Sequence, residues 1–336
     1  ATGYGVNVNG AVTGSVTADG TINSVNDGIH VNGAVGGSVG GTGLIITTTG
    51  VAGNGIDIDG SVTGTTSAGT IRAGNDGINI SGGAGDITVN TVVGSDGTAP
   101  AGGYGIYVGG NAGAVSAANV TSTDAGIYIG GTATSVTSST KITTSGTTAD
   151  GIYVGDTVSG NVGGSALAIT ATGDGIDING NVTGTTSAGM IKAAGDGINI
   201  SGNAGDIDVG TIVGQDGIAV TNGYGIYIGG NAGDVSAVNI SSTSDAIHVG
   251  GTASSVTAAG GIRATGTAAD GIYVGGTVSG NVAGSAVVIM ATGDGIDING
   301  AVTGNIDSNT IIAGNDGINV AGNVTGTTTV NSITAT

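Results

Sequence analysis

Apolar and polar positions alternate along this chain over very short stretches, and each stretch ends at glycine. The recurring unit is Gly, then Ile or Val, then any residue, then Ile or Val. It reads Gly5-Val6-Asn7-Val8 near the start and Gly317-Ile318-Asn319-Val320 near the end. Between them the first apolar residue of the unit returns at Ile29, Ile56, Ile78, Ile106, Ile127, Ile152, Ile176, Ile198, Ile226, Ile247, Ile272 and Ile296. These fourteen copies follow one another at intervals of 21 to 28 residues, 24 on average. A period of two over three residues is a minimal strand, with both apolar side chains on one face and the middle one on the other.

The segment between copies completes the picture. In 175–197, Ile176-Asp177-Ile178 is one strand and Asn179-Gly180 a turn, since Asn and Gly tolerate positive φ. Val182-Thr183 centres a second short strand that Gly184 ends, Met190-Ile191-Lys192-Ala193 is a third, and Gly195-Asp196-Gly197 turns into the next copy. Three short strands and three corners in about 24 residues are one coil of a three-sided parallel β-helix; a propeller blade needs four longer strands over ~40 residues. The expected fold is therefore all-β, a β-solenoid of about fourteen coils. At ~4.8 Å per coil it would form a rod roughly 67 Å long.

A longer period lies over the short one. The intervals 22, 28, 21, 25, 24 occur twice in succession, and residues 51–170 laid over 171–290 without gaps match at 78 of 120 positions. The chain reads as one solenoid, 1–336, made of diverged leader coils (1–50), two superrepeats (51–170 and 171–290) and the start of a third (291–336). The 28-residue coils carry extra loops, Gly94-Ser95-Asp96-Gly97-Thr98-Ala99-Pro100 and Gly214-Gln215-Asp216-Gly217, which are expected to protrude.

Composition agrees with strands and narrows the partners. Of 336 residues 75 are Gly, Phe, Trp, Cys and Glu are absent, and Pro100 is the single proline. Strong helix formers are scarce while Val, Ile and Thr abound. Without Phe or Trp the core is narrow, filled by small branched side chains. Regular Val/Ile spacing separates the chain from disordered Gly/Ser/Thr-rich sequences, and Gly does not fall at every third position as in collagen. Lack of Cys removes disulfides and thiolate chemistry. The net charge of −19 stands against only four basic residues, Arg72, Lys141, Lys192 and Arg263. No basic patch is available for nucleic acid or anionic membrane surfaces, and no apolar run reaches the ~18 residues of a membrane helix. An acidic, polar surface fits an extracellular or cell-surface setting. Ala1 already lies in repeat sequence, so a mature or excised form is expected.

Two outward columns carry the candidate chemistry. The residue between the paired apolar positions reads, coil by coil, Asn7, His30, Asp57, Asn79, Tyr107, Tyr128, Tyr153, Asp177, Asn199, Tyr227, His248, Tyr273, Asp297, Asn319. Tyr107, Tyr128, Tyr153, Tyr227 and Tyr273 form a surface for self-stacking, lateral packing against a neighbouring fibre, or glycan binding. A second column, two residues before each copy, holds Asp27, Asp76, Asp150, Asp174, Asp196, Asp245, Asp270, Asp294 and Asp316. Carboxylates ~5 Å apart repel and need solvent, corner amides or a cation. Turn N–H bonds are the plain account. Ca²⁺ bridging by Asp174 with Asp177, and Asp294 with Asp297, is the alternative; the Gly-rich Ca²⁺ nonapeptide of β-rolls repeats every nine residues, not every 24.

Catalysis has little support: basic residues are scattered, His30 and His248 stand singly in the outward column, and a tandem array offers no unique cleft. A non-enzymatic chain without an organic cofactor is expected. Asn-x-Ser/Thr sequons at Asn79, Asn119, Asn181, Asn199, Asn239 and Asn323 are glycosylation candidates, with Asn79 and Asn199 facing outward. Thr65-Thr66, Thr185-Thr186 and Thr327-Thr328-Thr329 raise an ice-binding alternative, which the uneven coil length opposes.

Gly-Asp-Gly-Ile-Asp-Ile-Asn-Gly (173–180) and Asp-Gly-Ile-Tyr-Val-Gly-Gly (270–276) resemble repeat regions of bacterial autotransporter passengers and related β-solenoid surface proteins. That resemblance implies a secreted adhesin or fibre. Neither end of this sequence reads as an amphipathic capping helix, and an uncapped coil is an unpaired strand edge. The expected function is a structural subunit, or a segment of a longer array, whose partner is itself through end-to-end coil pairing. The alternative is an adhesin stalk that binds glycans or another cell through the Tyr column.

Overall fold

The computed structural model describes residues 3–95, 103–214 and 223–336. Every described strand pairing is parallel, and no helix occurs among the described residues. The protein is a parallel β-solenoid of about fourteen turns. It divides into two compact units, Ala1–Gly163 with Thr170–Thr172, and Gly164–Ile169 with Gly173–Thr336. Within the first unit the three-residue strands run in register from Val6 through Ile29, Ile56, Ile78, Ile106 and Ile127 to Ile152. Within the second they run from Ile176 through Ile198, Ile226, Ile247, Ile272 and Ile296 to Ile318.

One coil shows why the sequence winds this way. Gly175 opens it, donating its N–H to the Asp196 carbonyl, and Ile176 N–H follows to the Gly197 carbonyl. Ile176 and Ile178 point inward and are fully buried. Val182 then makes a single bridge to Ala204. Strand Thr186–Ala193 closes the coil; Thr186, Ala188, Ile191 and Ala193 face in, and Gly189 and Met190 face out in succession. Two outward residues in a row bend the strand, so its two arms form two sides and the short strand the third.

Val182-Thr183 is not a strand but one ladder residue, and the strand expected at Met190–Ala193 already begins at Thr186. Glycines on either side, Gly180 and Gly184, let the chain turn again after a single pair of ladder bonds. Gly94 and Ser95 are tied back by N–H bonds to the Thr121 and Asn75 carbonyls. The remainder of the two expected protruding loops, Asp96–Pro100 and Gln215–Gly217, lies outside the described residues.

The interior is a set of aliphatic ladders. Each fully buried Ile or Val contributes roughly 1.5–3 kcal/mol relative to exposure. Thr66 and Thr186 interrupt one ladder: both are fully buried, aligned with Ile87 and Ile207, and their hydroxyls have no hydrogen-bond partner. A buried hydroxyl without a partner costs about 1–3 kcal/mol, whereas an apolar group of the same shape does not. Thr186→Val is therefore expected to raise stability by about 1 kcal/mol, read as a higher urea midpoint at unchanged slope.

Candidate functional site

Parallel, in-register stacking turns the outward residue of each short strand into a continuous column. In the first unit it runs Asn7, His30, Asp57, Asn79, Tyr107, Tyr128, Tyr153. In the second it runs Asp177, Asn199, Tyr227, His248, Tyr273, Asp297, Asn319. The rings lie flat on one another. Tyr107 and Tyr128 have centroids 5.0 Å apart at 8°, and Tyr128 and Tyr153 4.7 Å apart at 11°. His248 is held between Tyr227 at 5.1 Å and Tyr273 at 4.5 Å.

Three further tyrosines belong here. Tyr104 tilts against Tyr107 and Tyr128 at 5.1 and 5.4 Å, Tyr224 packs likewise on Tyr227 and His248, and Tyr4 stacks on His30. They stand two residues before the repeat, in the register of the Asp column, and that register was the signal that could have placed them. Burial pushes the phenols of Tyr104 and Tyr224 upward, with Asp124 and Asp245 respectively adding to it. Stacking has a consequence for ligands: where rings cover each other's faces, a sugar reaches mainly their edges.

The Asp column is a ladder of side-chain to backbone bonds between coils. Asp27 Oδ1 accepts Asn54 N–H at 2.7 Å, Asn54 Oδ1 accepts Asp76 N–H at 3.0 Å, and Asp76 Oδ1 accepts Tyr104 N–H at 2.8 Å. In the second unit Asp174 serves Asp196, which serves Tyr224, and Asp245, Asp270 and Asp294 serve Asp270, Asp294 and Asp316 in turn. At these corners a short Asp or Asn side chain accepts the backbone N–H of the next coil. Burial is the largest influence on the carboxyls of Asp76, Asp196 and Asp270 and pushes them up to about 6 against the N–H bonds they accept. Asp174 and Asp297 are raised for the same reason.

The expected Ca²⁺ pairs sit within this network. Asp177 and Asp297 each accept the side-chain amide of the next coil, from Asn199 and Asn319 at 3.0 Å, and Asp294 also accepts from Asn315 at 2.6 Å. Each pair supplies two carboxylates, against the six to eight oxygens that Ca²⁺ takes. Among the described residues, three His or Asp ligand atoms converge instead at Asp27, His30 and Asp57.

The two superrepeats differ most where the columns meet. Beside the tyrosines of the first unit is a cleft of about 280 Å³ lined by Tyr104, Asp124, Tyr128, Asp150 and Tyr153 with a Thr147–Ala149 corner. At the equivalent place in the second unit Asp245 replaces Ala125 and His248 replaces Tyr128, and the two join at 2.8 Å. The basic residues lie elsewhere: Arg72, Lys141 and Lys192 are on long strands, and Arg263 is on the four-residue strand Gly261–Ala264. Among the described residues, the ion pairs are those of His30 and His248.

No protein-family model, no curated protein and no solved structure matches the chain.

Proposed function

We propose that this protein is a non-enzymatic structural β-solenoid of an extracellular or cell-surface fibre that lengthens by stacking coil on coil. The observation that supports it is the constant register of the coils: each three-residue strand pairs residue for residue with the next, so one coil face fits any other of the same pattern. Strand Val6–Val8 pairs with Ile29–Val31, and strands Ile318–Val320 and Thr328–Ala335 pair with the coil before them. These coils keep the same register as the inner ones. Ile333, in line with buried Ile311, is 50 % exposed. Such a face is complementary to one more coil of the same pattern, supplied by another copy or by more of the same chain. Unpaired parallel edges with an apolar ladder beside them are templates for addition.

Electron microscopy and sedimentation of the purified chain test this reading. Filaments are expected, and Ile333→Lys, which places a charge on an already open face, is expected to stop growth while leaving the coils folded. A strictly monomeric protein at high concentration overturns the proposal. A second reading, an adhesin stalk, draws on the Tyr-lined cleft of the first unit, whose lining also includes Asp124 and Asp150 as polar groups for a ligand. Both readings suit the resemblance to bacterial β-solenoid surface proteins.

A further inference from the structure

We propose that Asp27, His30 and Asp57 form a binding site for a divalent transition metal of the Zn²⁺ or Co²⁺ kind. The three residues come from two successive coils and sit in the first unit. His30 Nδ1 lies 2.8 Å from Asp57 Oδ2 and 3.6 Å from Asp27 Oδ2. All three ligand atoms fall within 4.8 Å of one another. Bonds of about 2.1 Å from a tetrahedral ion put its ligand atoms roughly 3.4 Å apart. The two spacings from the imidazole nitrogen, 2.8 and 3.6 Å, bracket that value, and the third lies within 4.8 Å, so rotamer adjustments of roughly 0.5–1 Å bring the three atoms around one ion.

The surroundings are those of an oriented ligand set. Each carboxylate has one oxygen engaged from behind: Asn54 N–H donates to Asp27 Oδ1 at 2.7 Å, and Asn79 Nδ2 donates to Asp57 Oδ1 at 2.8 Å. The second oxygen of each is thereby turned toward the same imidazole nitrogen. Hydrogen bonds of this type fix ligand orientation in metal sites. Tyr4 stacks on the imidazole at 5.3 Å and holds its plane. The His30 side chain is 17 % exposed, which leaves a side for water as a further ligand.

A proton alone serves the cluster less well. Protonated Nδ1 donates along one direction, and the 2.8 Å contact assigns it to Asp57. Asp27 Oδ2, on a residue only 7 % exposed, is then left 3.6 Å away, beyond hydrogen-bond length. One imidazolium also leaves a net negative charge on two carboxylates whose side chains are 11 % and 12 % exposed, with no Lys or Arg in the cluster. A dication neutralises both carboxylates and uses the imidazole as a neutral ligand. Nitrogen and oxygen donors without thiolate suit Zn²⁺ and Co²⁺.

The second unit supplies a built-in comparison. Asp245 and His248 repeat the Asp27–His30 spacing, and Asp245 Oδ2 lies 2.8 Å from His248 Nδ1. In the coil that follows, however, Tyr273 occupies the register position that Asp57 holds. The pair is present without the third ligand and is expected to bind no metal.

Titration of the chelator-stripped protein with Co²⁺, followed by visible absorption and by calorimetry, tests the site. One ion per chain is expected, with the intense visible bands of a low-coordinate Co²⁺ centre. Asp27→Asn keeps the acceptor that Asn54 N–H requires, and His30→Asn has precedents in Asn7 and Asn79 of the same column; each is expected to weaken binding at least tenfold while the coils stay folded by circular dichroism. Tyr273→Asp is expected to raise the stoichiometry from one to two. Absence of Co²⁺ binding to the native chain overturns the proposal, as does binding that survives both Asn variants.

Discussion

The chelator-treated protein is expected to melt several degrees higher near pH 4.5 than at pH 7.5. Most proteins lose stability on acidification, because paired carboxylates must be protonated. Here the sign is reversed at three corners. Asp76, Asp196 and Asp270 have carboxyls pushed from 3.8 up to about 6, in each case chiefly by burial. Like charges add to it: Asp57 and Asp124 act on Asp76, Asp174 on Asp196, and Asp245, Asp294 and Asp297 on Asp270. Between about pH 4 and 6 the folded chain holds protons at these sites that the unfolded chain has lost. Stability therefore falls as pH rises through that window.

A shift of two units corresponds to about 3 kcal/mol, and solvent reaching these corners reduces this to about 2 kcal/mol for each of Asp76 and Asp196. The N–H bonds do not require the charge. Asn54 holds the same column position and accepts Asp76 N–H through its amide oxygen at 3.0 Å. Asp196→Asn is accordingly expected to stabilise the protein at pH 7.5 and to flatten its pH profile. A melting temperature that falls monotonically from pH 7.5 to 4.5, or an Asn variant that is less stable at pH 7.5, contradicts this account.

Gly295→Val is expected to cost on the order of 3 kcal/mol or more, at or above the top of the usual overpacking range. The glycine that opens each short strand is fixed by close approach. A Cβ at Gly295 would run into the Ile311 Cγ2 methyl from the inside and the Gly317 carbonyl oxygen of the next coil from below. Relief at one contact tightens the other. Gly175 meets the same two obstacles in Ile191 and Gly197, so the constraint belongs to the repeat. Ala246 holds this position in the coil of His248, which shows that one methyl can be absorbed where the coil is adapted to it. Two branched methyls exceed that allowance. Gly14→Ala provides the control: nothing lies within 4 Å of the added Cβ, and the change is expected to be close to neutral. Urea unfolding of the three proteins measures the difference.

These effects show where sequence was sufficient. Alternation over three residues, glycine on both sides and a recurrence near 24 determined strand length, inward face and coil number, because a side chain's face in a strand depends only on its parity. The same parity placed Tyr107, Tyr128 and Tyr153 outward in one column, and the structure stacks them there. The Val182-Thr183 segment reads as a strand from its local pattern, which does not distinguish a strand from one bridging residue. That depends on whether the neighbouring coil follows alongside or turns away.

Contacts between coils follow from the stacking and not from the local pattern. Parallel stacking puts residues 21 to 28 positions apart into contact, and the spacing changes from coil to coil. Tyr104 therefore meets Tyr128, and Asp57 meets His30, through backbone placement that no single coil encodes. The Asp ladder was legible as a column, but its bonds depend on each carboxylate reaching the N–H of the following corner. Alternation, spacing and composition are enough to specify a β-solenoid with an aliphatic interior and an acidic, tyrosine-bearing exterior. Whether three ligand atoms converge or a cleft closes was left to the stacking, because those outcomes turn on ångström-scale distances between side chains that are remote along the chain.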